Sequence, residues 1–175
     1  MDFQKRVTFE QALPIIQRLR ELSQTIATAE SCTGGLLAHC LTNVPGASQV
    51  FKVGLVTYSN ESKSRLLGIP QEIIEEYGAV SAEVAQRMAE GVSQRGGVTF
   101  GLATTGFAGP EGGSVDKPVG TVFLAIAQEG KKTEVWREFF SGDRLDFKEK
   151  TVEALLERLQ DVISHKRAQK NTKND

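Results

Sequence analysis

Apolar positions along the chain switch between helical and strand spacing. Ala12, Ile15, Ile16, Leu19 and Leu22 recur at intervals of three and four, which predicts an amphipathic helix. Its start is the capping box Thr8-Phe9-Glu10-Gln11 and its end lies near Ser23. The β-branched and apolar stretch from Thr25 to Ala29 predicts a buried strand, and the apolar run Leu36 to Leu41 predicts a helix of about Gly34 to Asn43. Pro45-Gly46 breaks the chain before a second strand, Phe51 to Tyr58. Ser59-Asn60 caps a short helix through Leu67, stopped by Gly68 and Pro70. Another covers Gln71 to Tyr77 with Gly78 as C-cap, and Ser81 opens a helix from Ala82 to Gln94.

Val98 to Thr104 reads as a third strand that empties into a loop without helical pattern, Thr105 to Pro118. Val119 to Ala127 and Thr133 to Phe140 then form a hairpin across Glu129-Gly130. A last amphipathic helix runs from Leu145 to Ile163, and the polar, Lys-rich tail from Ser164 to Asp175 is expected to be disordered. Helices and strands alternate for two thirds of the chain, then two strands follow directly. This order predicts a three-layer α/β/α sandwich with a mixed, mostly parallel sheet carrying one antiparallel strand. No internal repeat or linker divides residues 8–163, which read as one domain.

Composition narrows the function classes. A chain of 175 residues, 39% apolar and 25% charged, can bury a substantial core. With a net charge of −1, nothing points to nucleic acid or a membrane surface as partner. No apolar run is long enough to span a bilayer and no signal-peptide core follows Met1, so a cytoplasmic location is expected. The cysteines, Cys32 and Cys40, fall around one predicted helix about 12 Å apart, too far for a disulfide, which fits reduced thiols.

In a parallel α/β sheet, ligands bind beyond the carboxyl ends of the strands. Three segments leave such ends with unusual chemistry: Ser31-Cys32-Thr33-Gly34-Gly35, Tyr58 to Lys63, and Thr105 to Gly113. In the first, a hydroxyl at a strand end precedes a helix start whose free N–H groups attract negative charge. That suits a nucleophile beside an anion site; an ordinary N-cap followed by packing glycines is the plain alternative. If the three loops share an edge, Ser31, Tyr58, Lys63 and Thr105 converge.

A base for Ser31 is not a histidine. His39 lies about 12 Å along the predicted helix and His165 is in the tail. Lys63 is the best remaining candidate. An ordinary lysine, with a pKa near ~10.4, is neutral in roughly one copy in a few thousand at pH 7. Burial that lowers the pKa to about 7–8 raises that fraction by around three orders of magnitude. Tyr58 could relay or steady the proton. A solvated helix lysine and a strand-edge aromatic are the plain readings of the same two residues. Cys32 is a rival nucleophile with no histidine in reach, and a small buried thiol is its other reading.

The glycine-rich loop and Lys117 suit close approach of backbone N–H groups to an anion, although the loop matches neither a P-loop nor a dinucleotide fingerprint. Arg144, in the turn Ser141-Gly142-Asp143-Arg144, either grips phosphate or carboxylate or serves a capped helix start with a surface ion pair. No His, Cys or carboxylate spacing suggests a metal, and no cofactor is implied.

Taken in order, AESCTGG, VTYSNESK, LLGI, GAVS, TGFAGPEGG, KPVGTV and FSGDR resemble the C-terminal domain of the competence/damage-inducible protein CinA. The resemblance spans about Phe9 to Ile163. Stand-alone members of that family are nicotinamide-nucleotide amidohydrolases, so the resemblance implies hydrolysis of nicotinamide mononucleotide to nicotinate mononucleotide and ammonia, in pyridine nucleotide recycling. It places the catalytic serine, lysine and assisting tyrosine on Ser31, Lys63 and Tyr58, and the family's glycine-rich loop and arginine on Thr105 to Gly113 and Arg144. Substrate contacts are expected at Thr33, Gly34, Gly35, Asn60, Thr105, Gly106, Gly109 and Arg144, and a homodimer is expected.

The chain departs from the family at Val53-Gly54, at Phe107 and at Lys148, where an arginine is common. Longer relatives carry an N-terminal nucleotide-processing domain that has no counterpart in these motifs. In the expected mechanism N–H groups of Cys32 to Gly35 stabilise the oxyanion, while the glycine-rich loop and Arg144 hold the phosphate. A nucleotide-binding module without catalysis, or an amidase for another amide, are the alternative readings.

Overall fold

The structure is a computed structural model describing residues 9–171. Strands β1 (Ile26–Glu30), β2 (Phe51–Val56), β3 (Phe100–Gly106), β4 (Thr121–Gln128) and β5 (Glu134–Phe139) form one sheet in the order β2-β1-β3-β4-β5. β1 pairs in parallel with both β2 and β3; β4 is antiparallel to β3 and to β5. β4 is therefore the one reversed strand, and the expected mixed sheet is present. Among the described residues six α-helices flank it: α1 (Phe9–Glu21), α2 (Leu36–Thr42), α3 (Asn60–Leu67), α4 (Gln71–Tyr77), α5 (Ala82–Gly96) and α6 (Arg144–Asn171).

The strand alternation builds two unlike faces. Ile26, Phe100, Leu102, Leu124 and Ile126 face α1, α2 and α6, where Ile15, Leu19, Leu37, Leu41, Leu155 and Leu159 complete one core. Ala27, Ala29, Ala103, Ala125 and Ala127 face the other way, against Val84, Ala85, Met88 and Val92 of α5 and Leu67 and Ile74 of α3 and α4. Small residues on this face let α5 lie close to the sheet. Gly101 is the tightest point: a Cβ there would meet the Ala89 carbonyl oxygen at 2.0 Å.

Several boundaries differ from the periodicity. α2 begins at Leu36 rather than Gly34, because Gly34 (φ 62°) and Gly35 (φ 98°) take the left-handed conformation and form a turn. β3 continues two residues past Thr104, paired with Phe123 and Val122. α6 stays helical to Asn171, past the expected end at Ile163, through a stretch of good helix formers such as Arg167, Ala168 and Lys170. Thr8 of the expected capping box and residues 172–175 of the expected tail lie outside the described residues. Among the described residues no helix is long and apolar enough to cross a membrane.

The register sets the site. Glu30, the last residue of β1, is level with Val56 on one side and Thr104 on the other. The segments following β1, β2 and β3 therefore leave the sheet at one edge.

Candidate active site

At that edge a cleft of about 240 Å³ is lined by Ser31, Cys32, Tyr58, Lys63, Thr105, Gly106, Gly109 and Arg144, together with Phe107, Glu111 and the Ala79-Val80 segment. Lys63 comes from α3, an eight-residue helix closed at both ends. Ser59 Oγ accepts from the Ser62 N–H at its start, and Gly68 takes the left-handed conformation at its end. That short helix turns its single lysine inward, and Lys63 is only 1% exposed.

Lys63 Nζ lies 3.0 Å from Ser31 Oγ, 2.8 Å from the Thr57 carbonyl oxygen and 3.4 Å from that of Tyr58. In this arrangement two N–H bonds of a neutral amine go to the two carbonyls, and the lone pair is left for the serine hydroxyl proton. Burial lowers the ammonium from its ordinary 10.5 to about 8, opposed by the nearby Cys32. A neutral base is thus available close to physiological pH. Cys32 is a different case: burial pushes its thiol up to about 12, so it is not a thiolate nucleophile, and Cys40 is raised to about 12 for the same reason. Neither thiol is in a disulfide.

The turn carrying Ser31 is built on a residue that the sequence motifs did not single out. Glu30 is fully buried. Its Oε2 accepts from Thr33 Oγ1 at 2.7 Å and from the N–H groups of Gly35 and Leu37 at 3.0 Å each; its Oε1 accepts from the Ala38 N–H at 2.8 Å. The carboxylate therefore occupies the positive end of α2, where the sequence suggested a ligand anion. The signal available was an acid at a strand end followed by small residues and a helix. Neither is Ser31 the N-cap: Gly35 holds that position without a side-chain bond.

This corrects two expectations. Thr33 is buried, bonded to Glu30 and, at 2.8 Å, to Thr104 Oγ1, so it supports the turn and does not line the cleft. Gly34 donates to the Ser31 carbonyl and Gly35 to Glu30, so neither N–H is free for an oxyanion and neither residue lines the cleft. Among the described residues, the Cys32 and Thr33 N–H groups are the two of this turn left without a protein acceptor.

Arg144 opens α6 and reaches across the cleft rim. Its Nη1 donates to the Gly109 carbonyl at 2.8 Å and its Nη2 to Tyr58 Oη at 2.7 Å. Tyr58 is 60% exposed, and no hydrogen bond joins its phenol to Ser31 or Lys63; only its carbonyl touches the lysine. The expected proton relay through Tyr58 is not the observed geometry. Thr105 Oγ1 donates to the Ala79 carbonyl at 2.7 Å, and Lys117 Nζ to the Val80 carbonyl at 2.8 Å, which ties the cleft wall to the glycine-rich loop. Asn60, at the start of α3, is exposed and outside the lining. Lys148 lies beside Gly34, its Nζ 3.5 Å from where a Cβ would stand. His39 pairs with Asn43, away from the serine.

A wider hollow of about 380 Å³, lined by Glu90, Ser93, Gln128 and Thr133, lies elsewhere. There Thr133 Oγ1 donates to Glu90 Oε1 at 2.8 Å, but beside Val98, at the end of β3 opposite the parallel strands' carboxyl ends, so the chemistry points to the smaller cleft. Among the described residues no group of three or more His, Cys, Asp or Glu side chains is placed to hold a metal ion.

Comparison with known proteins agrees with the fold. The family model for the CinA C-terminal domain matches residues 9–163. A CinA-like protein of Geobacter metallireducens is 53% identical over 131 residues, 74% of this chain and 31% of the relative. A putative competence-damage inducible protein of Moorella thermoacetica is 50% identical over 85% of this chain and 35% of its own length. The chain thus spans about a third of these relatives. The crystal structure of competence/damage inducible protein CihA from Agrobacterium tumefaciens superposes with a TM-score of 0.87 at 38% identity, covering 94% of this chain and 99% of that one.

Proposed function

The chain belongs to the CinA C-terminal domain family, and from that premise we propose that it is a serine amidohydrolase releasing ammonia from the carboxamide of nicotinamide mononucleotide. The observation that carries the reading is the 3.0 Å contact between Ser31 Oγ and a buried Lys63 whose ammonium is lowered to about 8. Neutral Lys63 takes the serine proton as Oγ forms a bond to the carboxamide carbon. The Cys32 N–H, adjacent to the nucleophile, is the donor available to the developing oxyanion; one such donor contributes about 3 kcal/mol. Lys63 then returns its proton to the departing nitrogen, and the C–N bond breaks with loss of ammonia. Water, deprotonated by the same lysine, cleaves the acyl-serine to give the carboxylate and free Ser31.

Arg144 is the cation at the cleft rim, and both of its hydrogen-bond partners are neutral, so its charge is available to the phosphate of the substrate. The test is ammonia release from nicotinamide mononucleotide, beside nicotinamide and its riboside, by the wild type and by Ser31→Ala and Lys63→Ala. The expected result is activity that requires the phosphate and falls by ~10³-fold or more in both variants. A folded wild type that binds the mononucleotide without releasing ammonia would replace this reading with that of a binding module. Equal rates on all three amides would point to another substrate.

A further inference from the structure

Glu30 is a buried acid one residue before the nucleophile, and its partners are four N–H or O–H donors rather than a cation. Strand alternation turns its side chain to the same face of β1 as Ile26 and Thr28, toward the first turn of α2. The acceptance of three backbone N–H groups and one hydroxyl by one carboxylate draws the Ser31 to Gly35 turn onto the strand end. Thr33 Oγ1 links that carboxylate to Thr104 on β3, and the Ser31 N–H donates to the Thr104 carbonyl at 2.9 Å. On the other side, the Glu30 carbonyl accepts from the Thr57 N–H at 2.8 Å, and the Thr57 carbonyl in turn holds Lys63 Nζ. One residue therefore sits on both routes that fix the distance between nucleophile and base.

We infer that Glu30 is a positioning residue for the Ser31–Lys63 pair: its carboxylate fixes the nucleophile's turn while its carbonyl fixes Thr57, whose own carbonyl holds the lysine. The inference rests on the serine–lysine reading of the site, and it does not depend on which amide is hydrolysed. A displacement of about 1 Å at a nucleophile costs up to ~10²-fold in rate. Glu30→Gln keeps the side-chain shape but sets an NH2 group against backbone N–H donors, so the turn must relax away from its present position.

The experiment combines kinetics with a crystal structure of Glu30→Gln. The expected result is a kcat lowered by about 10- to 100-fold with KM within about twofold, and a Ser31 Oγ to Lys63 Nζ separation beyond about 3.5 Å. A merely structural cap would lower the melting temperature and leave kcat of the folded enzyme unchanged, with the separation near its present 3.0 Å; that result overturns the inference. A rise in KM alone overturns it too, since it would make Glu30 a substrate contact. Should Glu30→Gln fail to fold, Thr33→Val removes one donor from the same carboxylate and is expected to lower kcat about 3- to 10-fold with KM unchanged; unchanged kcat there counts against the inference. A wild type that releases no ammonia defeats the nucleotide-amide reading, and the crystallographic separation then judges Glu30 by itself.

Discussion

Arg144 Nη2 donates to Tyr58 Oη at 2.7 Å, joining the start of the last helix to the segment that follows β2 at the exposed rim of the cleft. The tyrosine thus serves the arginine, while its backbone carbonyl serves the lysine. Tyr58→Phe separates these roles, since it deletes the phenol and keeps the carbonyl. KM for the mononucleotide is expected to rise roughly three- to tenfold, as Arg144 loses one fixed partner, with kcat within about threefold. A kcat loss of ~10²-fold would restore the phenol to the proton path.

Lys63 sets the pH dependence. In the proposed reaction the base is the neutral amine, and burial lowers the ammonium to about 8. The kcat/KM profile is therefore expected to rise with pH and level off above a midpoint near 8. A midpoint near the usual lysine value would mean that burial does not tune this amine.

The same shift makes stability depend on pH. Between about 8 and 10.5 the unfolded lysine holds a proton that the native lysine has released, so the native state gains stability as pH rises through that window. Below it, both states are protonated and the full cost of burying the charge is present. Thermal melts of wild type and Lys63→Met should show the difference shifting in favour of wild type from pH 8 to pH 10.5, because the variant lacks this group. Parallel curves would remove the proton linkage.

Cys32 and Cys40 are buried, with thiols raised to about 12. Neither should react with a thiol-specific reagent at pH 8 in the native protein, and both should react in denaturant. Cys32→Ala is expected to keep kcat within about fivefold. Rapid native labelling at Cys32, or loss of activity in the alanine variant, would reopen the thiol as nucleophile.

Gly101 is where α5 comes closest to the sheet. Gly101→Ala is expected to destabilise the fold by about 3 kcal/mol, or roughly 10 °C in melting temperature, since the added methyl would run into the α5 backbone at Ala89 and Ser93. An unchanged melting temperature would show that the helix shifts freely on the sheet.

The order of elements and the meeting of Ser31 with Lys63 were legible in the sequence, because strand ends in a parallel sheet share an edge and the pattern marked those ends. The roles within the turn were not. A serine, a threonine and two glycines before a helix suit an anion site as well as they suit a turn, and periodicity does not say what fills the helix end. Glu30 fills it, which reassigns Thr33 and Gly35 from substrate to scaffold. Helix limits at Gly34 and Ile163 moved for local reasons: left-handed glycines at the first, and continued helix formers at the second.

β1 is flanked on both sides by parallel partners, whereas Lys63 rides a short surface helix and Arg144 the outermost turn of the last one. In the proposed chemistry the reacting hydroxyl is thus anchored to a strand paired on both sides, and the arginine assigned to the substrate's phosphate hangs from the start of the last helix. For engineering, this arrangement separates two tasks. Substrate scope can be diversified at Arg144, Phe107 and Glu111 in a library that leaves residues 26–38 untouched, and chemistry should survive across most of its members.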